Sequence, residues 1–342
     1  MLEDKTLVIG PSWVGDMVMS QSLLKAIKEK YPNTKIDVLA PIWSQSLTQR
    51  MPEVTNGLPI AIKHGELGIM KRYKLAKSLR EAQYQRCFVL PNSFKSALIP
   101  FWAKIPQRIG WRGEWRYPLL NDIRILNKKR LPLMVQRYVA LAHKANAILP
   151  QNLPNPQLRV EPQSVQAALT KHGLSQNKGK IISLCPGAEF GPSKRWPEQS
   201  YATLAKHFLS QGYQVWIFGS QKDDEVAQKI NRVCQEACVN LCGKTSLAEA
   251  IDLLSLSACV VSNDSGLMHI AASLGRPVVA VYGSTDPGFT PPLSQKVKII
   301  QSTIACSPCF ERVCPLTDPR KHHACMQMLK PDSVISAVLE MT

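Results

Sequence analysis

Three short segments of this chain carry residue types that could do chemistry together. The first is residues 263–266, Asn-Asp-Ser-Gly, at the point where a predicted strand gives way to a predicted helix. A helix start has unpaired N–H groups and a positive partial charge, so it suits a phosphate, and glycine allows close approach. We therefore predict that Ser265, Gly266 and His269 bracket phosphates and that Asp264 accepts hydrogen bonds from sugar hydroxyls. Alternatively, Asp264 or Ser265 only caps the helix and His269 is a core residue.

The second segment is the glycine-rich turn over residues 186–197, which ends in Ser-Lys-Arg just before a predicted helix. Such a turn can place cations and backbone N–H groups around a pyrophosphate. Lys194 is the predicted main cation, and Gly187, Ser193 and Thr245 are further predicted donor contacts. The spacing is not that of a P-loop, and no G-x-G-x-x-G follows a predicted strand. A kinase or a dehydrogenase is therefore not favoured.

The third segment, residues 10–16, places Asp16 in the first turn of a predicted helix, just after the first strand. A carboxylate in this position can take a proton from a substrate hydroxyl as a general base. It can also simply complement the helix dipole, which is common. This segment alone does not decide between the two interpretations.

Alternating strands and helices must position these segments. In the first half the patterns predict strands over 6–10, 36–40, 59–62 and 87–90, and helices from 17 onward, over 44–50, 71–81, 94–103 and 132–149. In the second half they predict strands over 181–185, 215–219, 259–262 and 277–282, and helices over 197–209, 223–235, 247–256, 266–274 and 331–339. This alternation predicts an α/β protein with parallel sheets that are covered on both faces.

A proline-rich stretch divides the chain into two similar halves. Four prolines fall between residues 150 and 162, and 342 residues exceed what one core usually supports. We predict one domain over residues 1–155 and another over 156–330, followed by a final helix over 331–342. Ligands are expected in the cleft between the domains, at the carboxyl ends of the strands.

Positive charge is concentrated in the first half. Residues 1–150 hold 24 Lys and Arg against 10 Asp and Glu, whereas residues 151–342 hold 18 against 15. This asymmetry indicates an anionic partner for the first half, such as a phosphorylated substrate, an acidic membrane surface or nucleic acid. A generally basic surface is the alternative. No apolar run is long enough to span a bilayer and no signal peptide is evident, so we expect a cytosolic protein.

The ten cysteines form two groups. Six are scattered and predicted to be small core residues: Cys87, Cys185, Cys234, Cys238, Cys242 and Cys259. The other four, Cys306, Cys309, Cys314 and Cys325, cluster near the C-terminus with His322 and His323 between them. A structural zinc or iron–sulfur site, reduced thiols packed in a loop, and a disulfide all remain open for this cluster.

Taken together, the three segments resemble bacterial glycosyltransferase family 9. The resemblance lies in Trp-Val-Gly-Asp after the first strand, Pro-Gly-Ala…Lys-Arg-Trp-Pro, and Asn-Asp-Ser-Gly-Leu-Met-His followed by Pro-Val-Val-Ala-Val-Tyr-Gly-Ser-Thr-Asp-Pro. It covers nearly the whole chain. It implies a GT-B fold, in which two Rossmann-like doubly wound domains bind the acceptor and the nucleotide sugar respectively. It also implies that the final helix packs back on the N-terminal domain.

The same resemblance implies the chemistry. The donor would be ADP-L-glycero-D-manno-heptose and the acceptor heptosylated Kdo–lipid A, with the enzyme peripheral on the cytoplasmic face of the inner membrane. Asp16 would be the general base of an inverting transfer. No D-x-D or similar carboxylate pair appears near the segments, so we expect neither a catalytic metal nor another required cofactor. Predicted contacts to the anionic acceptor are Lys71, Arg72, Lys74, Arg112 and Arg116.

Three alternatives remain from sequence. One is transfer of the first or third heptose within the same family, and another is a nucleotide-sugar epimerase of similar two-domain shape. The third is a nucleic-acid-binding protein that uses the basic half and a cysteine-ligated metal. Nucleic-acid readers generally show aromatic stacking platforms or known modules. None is evident beyond a Trp/Arg-rich loop at 108–117, so we expect no nucleic-acid partner.

Overall fold

A computed structural model describes residues 3–62, 65–176 and 179–342. The chain divides into two compact units, and the division falls between Arg159 and Val160. This point lies within the proline-rich stretch, four residues after the predicted limit of the first domain. Among the described residues, no helix is both long and apolar enough to cross a membrane.

The first unit is built on a six-stranded parallel sheet with the order β3-β2-β1-β4-β5-β6. Its strands are β1 Lys5–Ile9, β2 Lys35–Pro41, β3 Val54–Ile60, β4 Arg86–Val89, β5 Gln107–Trp111 and β6 Asp122–Arg124. Its helices are α1 Val14–Lys30, α2 Gln45–Thr48, α3 Ile69–Leu79, α4 Phe94–Trp102 and α5 Met134–Val139.

The second unit repeats this plan with a parallel sheet of the order β12-β11-β10-β7-β8-β9. Its strands are β7 Ile181–Cys185, β8 Gln214–Ile217, β9 Val239–Asn240, β10 Cys259–Asn263, β11 Val278–Tyr282 and β12 Val297–Gln301. Its helices are α6 Pro162–Lys171, α7 Glu198–Ser210, α8 Asp224–Val233, α9 Leu247–Leu254, α10 Gly266–Ser273, α11 Ala324–Gln327 and α12 Pro331–Leu339. The predicted α/β class with two doubly wound units is therefore confirmed.

The order of the strands explains where the three segments lie. In each sheet the direction of strand addition reverses between two central neighbours, which are β1 and β4 in the first unit and β7 and β10 in the second. The loops that leave the carboxyl ends of such strands diverge and open a crevice, where α/β proteins bind ligands. The loop after β1 leads to Asp16, the loop after β7 carries Lys194, and Asp264 follows β10 directly.

The predicted long helix over residues 132–149 is wrong. Only Met134–Val139 is helical. Beyond it, the guanidinium of Arg124 donates to the carbonyl groups of Ala140 and His143, at 2.6 Å each. Because a side chain satisfies these acceptors, the chain can leave the helix without burying an unpaired carbonyl.

Four strands were also missed: β5, which lies inside the first sheet, and the edge strands β6, β9 and β12. Central strands such as β7 and β11 are buried along their whole length and are continuous apolar runs, which the sequence shows clearly. In β12 no residue is buried, and in β6 only one is. Charged residues also interrupt the apolar pattern of both strands. A short, mixed segment of this kind gives little periodic signal.

The final helix, α12, was predicted at the correct position. Its residues Val334 and Val338 belong to the core of the second unit, together with Phe208 of α7 and Trp196. The predicted packing of this helix on the first domain stays a prediction. The apolar stripe of this short helix is buried there.

Candidate active site

Lys194 and Asp264 come from different loops and meet in the second unit. The Lys194 Nζ donates to Asp264 Oδ2 at 2.6 Å, although the two residues are 70 positions apart. Thr285 Oγ1, from the loop after β11, donates to the same oxygen at 2.8 Å. Asp264 is 6% exposed and the Lys194 side chain is 14% exposed. The result is a largely desolvated cation held by a carboxylate, and a hydroxyl fixes that carboxylate in turn.

Asn263 fixes the loop that carries Lys194. Its Nδ2 donates to the carbonyl of Pro186 at 2.7 Å, and its Oδ1 accepts from the backbone N–H of Trp196 at 3.1 Å. The Tyr201 hydroxyl donates to the same Oδ1 at 3.0 Å. Asn263 is fully buried. One amide at the end of β10 thus ties both ends of the Lys194 loop to the sheet.

A second carboxylate, Asp223, supports the loop from the other side. Its Oδ1 lies 3.5 Å from the guanidinium of Arg195. The Cβ of any residue larger than glycine at Gly187 would come within 2.5 Å of this carboxylate. Gly187 is therefore required by close packing within the loop, which is a different role from the predicted donor contact. Its role as a donor contact stays a prediction.

Ser193 is buried, and its contacts are all with the C-terminal part of the chain. Its backbone N–H donates to the carbonyl of Arg312 at 3.2 Å, and its hydroxyl donates to the carbonyl of Glu311. Gly191 lies so close to the Arg312 carbonyl that a Cβ could not be accommodated. In this structure Ser193 therefore anchors the Lys194 loop, while a contact to a donor stays a prediction.

At the start of α10, the side chain of the N-cap residue does not cap the helix. Ser265 is the N-cap residue in an extended conformation, and its side chain makes no capping hydrogen bond. Its hydroxyl lies 3.0 Å from that of Ser262 instead. The simple capping interpretation is therefore not what the structure shows. Ser265 and Gly266 are half-buried, as is Thr245, which lies before α9.

His269 is buried on α10 and is 4% exposed. Burial lowers the pKa of its imidazole to about 4, although the nearby Asp264 opposes this shift; the nearby Lys194 adds to it. The imidazole is therefore neutral at physiological pH. It can offer a hydrogen bond to a ligand but no positive charge.

In the first unit, Asp16 lies in the first turn of α1 and is half-buried. The hydroxyl of Tyr138, from α5, hydrogen-bonds to its carboxylate. Burial raises the pKa of Tyr138 well above its usual value, and the charge and hydrogen bond of Asp16 raise it further. Tyr138 thus stays protonated and acts as a fixed donor that orients the carboxylate.

The predicted acceptor contacts fall into two groups. Lys71, Lys74 and Arg112 are exposed on the first unit, as expected. Arg72 and Arg116 are not surface cations, which corrects the prediction, because they are only 6% and 1% exposed.

The two buried arginines hold loops of the first unit together. Arg72 Nε donates to the carbonyl of Leu67 at 2.7 Å. Arg116 donates to the carbonyl of Pro91 at 2.6 Å and to Asn92 Oδ1 at 3.1 Å. Burial lowers the pKa of Arg116 to about 10, so it remains charged at neutral pH. A guanidinium has five donors and can satisfy several carbonyl groups at once, which explains its use here.

The cysteines divide as the sequence predicts. The six scattered cysteines are all buried. The four C-terminal cysteines line one cavity of about 50 Å³, together with His323. Cys314, His322 and His323 could each present one ligand atom to a common metal ion, since these atoms lie within 4.8 Å of one another.

Four residues of the site were not predicted from sequence: Asn263, Asp223, Thr285 and Tyr138. Asn263 lies in the first of the three segments and Thr285 in the last motif of the family resemblance, but neither was assigned a role. Asp223 and Tyr138 lie outside these motifs, and the order of the strands and helices brings each of them to its partner.

Comparison with known proteins shows the family of this chain. The model of glycosyltransferase family 9 (heptosyltransferase) matches residues 72–319. Lipopolysaccharide heptosyltransferase 2 of Salmonella typhimurium is 53% identical over 306 residues, which are 87% of this chain and 88% of that protein.

Two solved structures extend the comparison to the fold. The structure of E. coli ADP-heptose lps heptosyltransferase II is similar with a TM-score of 0.87 and 46% identity, covering 98% of each chain. A glycosyl transferase family 9 protein from Veillonella parvula has a TM-score of 0.83 at 18% identity, covering 99% of each chain. The second likeness concerns the fold alone.

Proposed function

The chain belongs to glycosyltransferase family 9, and on that premise we propose that it transfers the second heptose of the lipopolysaccharide core. The donor is ADP-L-glycero-D-manno-heptose and the acceptor is heptosyl-Kdo-lipid A. The identity of 53% to a protein named heptosyltransferase 2 supports this choice of substrates. The observation that carries the proposal is the cluster of Lys194, Asp264 and Thr285 beside the start of α10.

In the proposed reaction, the acceptor hydroxyl oxygen attacks C1 of the heptose. The bond between C1 and the diphosphate oxygen breaks, and ADP leaves with its electron pair. The proton of the hydroxyl passes to the carboxylate of Asp16, which acts as general base. Displacement in one step inverts the configuration at C1. No step in this scheme requires a metal ion.

Lys194 stabilises the departing diphosphate together with the backbone N–H groups at the start of α10. Before the donor binds, Asp264 holds the ammonium group in place, so that little reorganisation is needed when phosphate arrives. Asp264 then shares Lys194 with the diphosphate and accepts hydrogen bonds from hydroxyl groups of the sugar, while Thr285 keeps its carboxylate oriented.

The first unit binds the acceptor at the cytoplasmic face of the inner membrane. Its excess of Lys and Arg fits a phosphorylated glycolipid that lies in an anionic leaflet. The exposed cations Lys71, Lys74 and Arg112 are the proposed contacts.

A panel of donors and acceptors tests the proposal. ADP-heptose, another ADP-sugar and a UDP-sugar are each incubated with Kdo-lipid A that carries or lacks its first heptose, and the products are weighed by mass spectrometry. We expect a product only from ADP-heptose and the heptosylated acceptor. Transfer to the acceptor without heptose would identify a different heptose position. Conversion of the donor without any acceptor would identify an epimerase, and salt-dependent RNA binding without affinity for ADP-heptose would identify a nucleic-acid-binding protein.

A further inference from the structure

The segment between β12 and α11, residues 302–323, contains a concentration of metal-binding side chains that the proposed transfer does not use. We call it the cysteine loop. Three of the clustered cysteines lie on it, and Cys325 follows in α11. All four thiols, which lie between residues 306 and 325, line one cavity of about 50 Å³. Folding has therefore gathered them around a common space.

Three side chains lie close enough together to become ligands of one metal ion. Cys314, His322 and His323 present ligand atoms that lie within 4.8 Å of one another. The backbone N–H of His323 donates to Cys314 Sγ at 3.3 Å, which fixes the sulfur. The ring of His322 lies with Nδ1 2.8 Å from the carbonyl of Leu316, so Nδ1–H donates and Nε2 keeps its lone pair. Metal-binding histidines are commonly oriented by such a bond to a carbonyl group.

We propose that this cluster binds one zinc ion, with Cys314, His322 and His323 as three ligands and a thiol of the same cavity as the fourth. Mixed thiolate and imidazole ligands suit zinc, and a structural zinc site takes four ligands in a tetrahedron. Ligand atoms around one zinc ion lie roughly 3.5 Å apart. The three ligand atoms must therefore move together by about 1 Å, and the stacked rings of His322 and His323 must turn toward the ion.

The cysteine loop is hydrogen-bonded to the loop that carries Lys194. The carbonyl groups of Glu311 and Arg312 accept from the hydroxyl and the backbone N–H of Ser193, the residue before Lys194. The ring of Phe190 lies beneath the charged groups of both Arg312 and Lys194, at 5.4 Å and 4.8 Å from its centroid. A shift of the cysteine loop would therefore move Lys194.

The cysteine loop also contacts the segment that leads to Thr285. The backbone N–H of Phe310 donates to the carbonyl of Ser284 at 2.8 Å, and Ser307 Oγ donates to the carbonyl of Gly283 at 2.6 Å. Thr285 follows Ser284 directly in the chain, and its hydroxyl donates a hydrogen bond to Asp264. The cysteine loop thus joins the two segments that set the distance between Lys194 and Asp264. The bound zinc ion fixes the positions of Lys194 and Asp264 relative to each other. Its effect on donor binding rests on the proposed function.

Metal content tests the site itself. Untagged full-length protein is reduced, supplied with ZnCl₂, dialysed and measured by elemental mass spectrometry. We expect about one zinc ion per chain, the content of a single structural site. The variants Cys314→Ser and His323→Asn should lose it, with zinc affinity lower by about tenfold or more in competition with a fluorescent chelator. His207→Asn, which changes a histidine of α7 outside the cluster, should retain the wild-type content.

Several results would overturn the site. One is wild-type protein without zinc after this treatment, and another is full zinc content in both ligand variants. Iron in place of zinc would overturn the choice of metal. A non-reduced intact mass about 2 Da below the reduced mass would identify a disulfide instead, because its formation removes two hydrogen atoms. Circular dichroism of each variant separates loss of zinc from loss of fold, and the wild-type measurement stands even if a variant does not fold.

Calorimetry with ADP tests the positioning role. Removal of zinc by EDTA should weaken ADP binding several-fold, and added zinc should restore it. Unchanged affinity in zinc-free protein would overturn the positioning role and leave the zinc site intact. Zinc binding in a protein that never binds ADP would instead contradict the proposed function, so the two failures are distinguishable.

Discussion

The two units share one topology but differ in net charge, which is strongly positive in the first unit and close to zero in the second. The first 150 residues carry 24 Lys and Arg against 10 Asp and Glu, whereas the remainder is nearly balanced at 18 against 15. Exposed large hydrophobic side chains follow the same division, since among the described residues 13 lie in the first unit and five in the second. A basic surface with exposed apolar groups suits a large amphiphilic partner. A surface with balanced charge does not favour such a partner. In the second unit, an anionic ligand would therefore be bound by a few local charges.

The difference continues at the level of the candidate site residues. Asp16 of the first unit is a half-buried carboxylate oriented by a neutral hydroxyl, that of Tyr138. Lys194 of the second unit is a cation whose charge is balanced by Asp264, and the adjacent His269 is held neutral by burial. A proton acceptor needs an available lone pair, whereas an anion site needs a positioned cation. The two units thus place these two residues in different electrostatic surroundings, which fits the different roles proposed for them.

The largest effect is expected for Asp16→Asn. The amide cannot accept the proton, so transfer should fall by about 10²–10⁴-fold, the range for loss of a general base. ADP-heptose affinity, which is assigned to the other unit, should be unchanged. Both are measured, by product formation and by calorimetry. Asp4→Asn, which changes a carboxylate paired with Arg86 in the same unit, is the control. Wild-type turnover in Asp16→Asn would remove this residue from the mechanism.

The neutral state of His269 predicts a pH dependence of stability. Because its folded pKa of about 4 lies below the usual 6.5, the unfolded chain binds a proton first as the pH falls. The protein should thus lose up to about 3 kcal/mol of unfolding free energy between pH 6.5 and pH 4. Urea midpoints across this range measure the loss, which should be smaller in His269→Gln. An equal loss in both proteins would show that His269 is not held neutral.

Lys194→Ala should weaken ADP affinity by about tenfold to a hundredfold, because one charge-assisted contact is lost and Asp264 is left to repel phosphate. In the double variant Lys194→Ala, Asp264→Asn the affinity should partly recover, since the repulsion is removed. Lys206→Ala, which changes an exposed lysine of α7 in the same unit, is the control. Calorimetry that finds equal ADP affinity in Lys194→Ala and wild type would refute the assignment.

Charge reversal tests the basic surface of the first unit. Lys71→Glu, Lys74→Glu should weaken binding to vesicles that contain phosphatidylglycerol by roughly thirtyfold or more, since each of the two lysines near an anionic surface contributes about 1 kcal/mol and the glutamates add repulsion. The matched control is Lys206→Glu, Lys229→Glu on the second unit, which should have little effect. Vesicle sedimentation at two salt concentrations measures both. If both double variants lost vesicle binding equally, binding would depend on the total charge of the protein and not on the basic surface of the first unit.

The smallest effect is expected for Tyr138→Phe, which removes the hydroxyl that orients Asp16. The turnover number should fall about two- to tenfold, the range for one hydrogen bond, while donor affinity stays the same. Tyr84→Phe is a close control, because Tyr84 is another buried tyrosine of this unit that donates to an aspartate, Asp37 at 2.6 Å. A similar fall in both variants would indicate a general loss of packing, with no specific role for Tyr138.

Much of the fold could be predicted because its signals are local. The strand, turn and helix around Asp264 were predicted to within one residue, since a continuous apolar strand and a glycine-containing turn mark their own limits. The helix over 132–149 failed because Arg124, distant in sequence, takes carbonyl groups that a helix would have used. The edge strands were not predicted because they are half-exposed and alternate irregularly between apolar and charged residues.

By itself, the sequence determined the α/β class, the two halves and the three segments at the ends of central strands, because periodicity and turn chemistry depend on neighbouring residues. Only the tertiary structure decided that Lys71 is exposed while Arg72 and Arg116 are buried. It also decided that Lys194 meets Asp264 and that Tyr138 meets Asp16. These pairings depend on which strands and helices become neighbours in space, and residues close together in sequence carry no record of that choice.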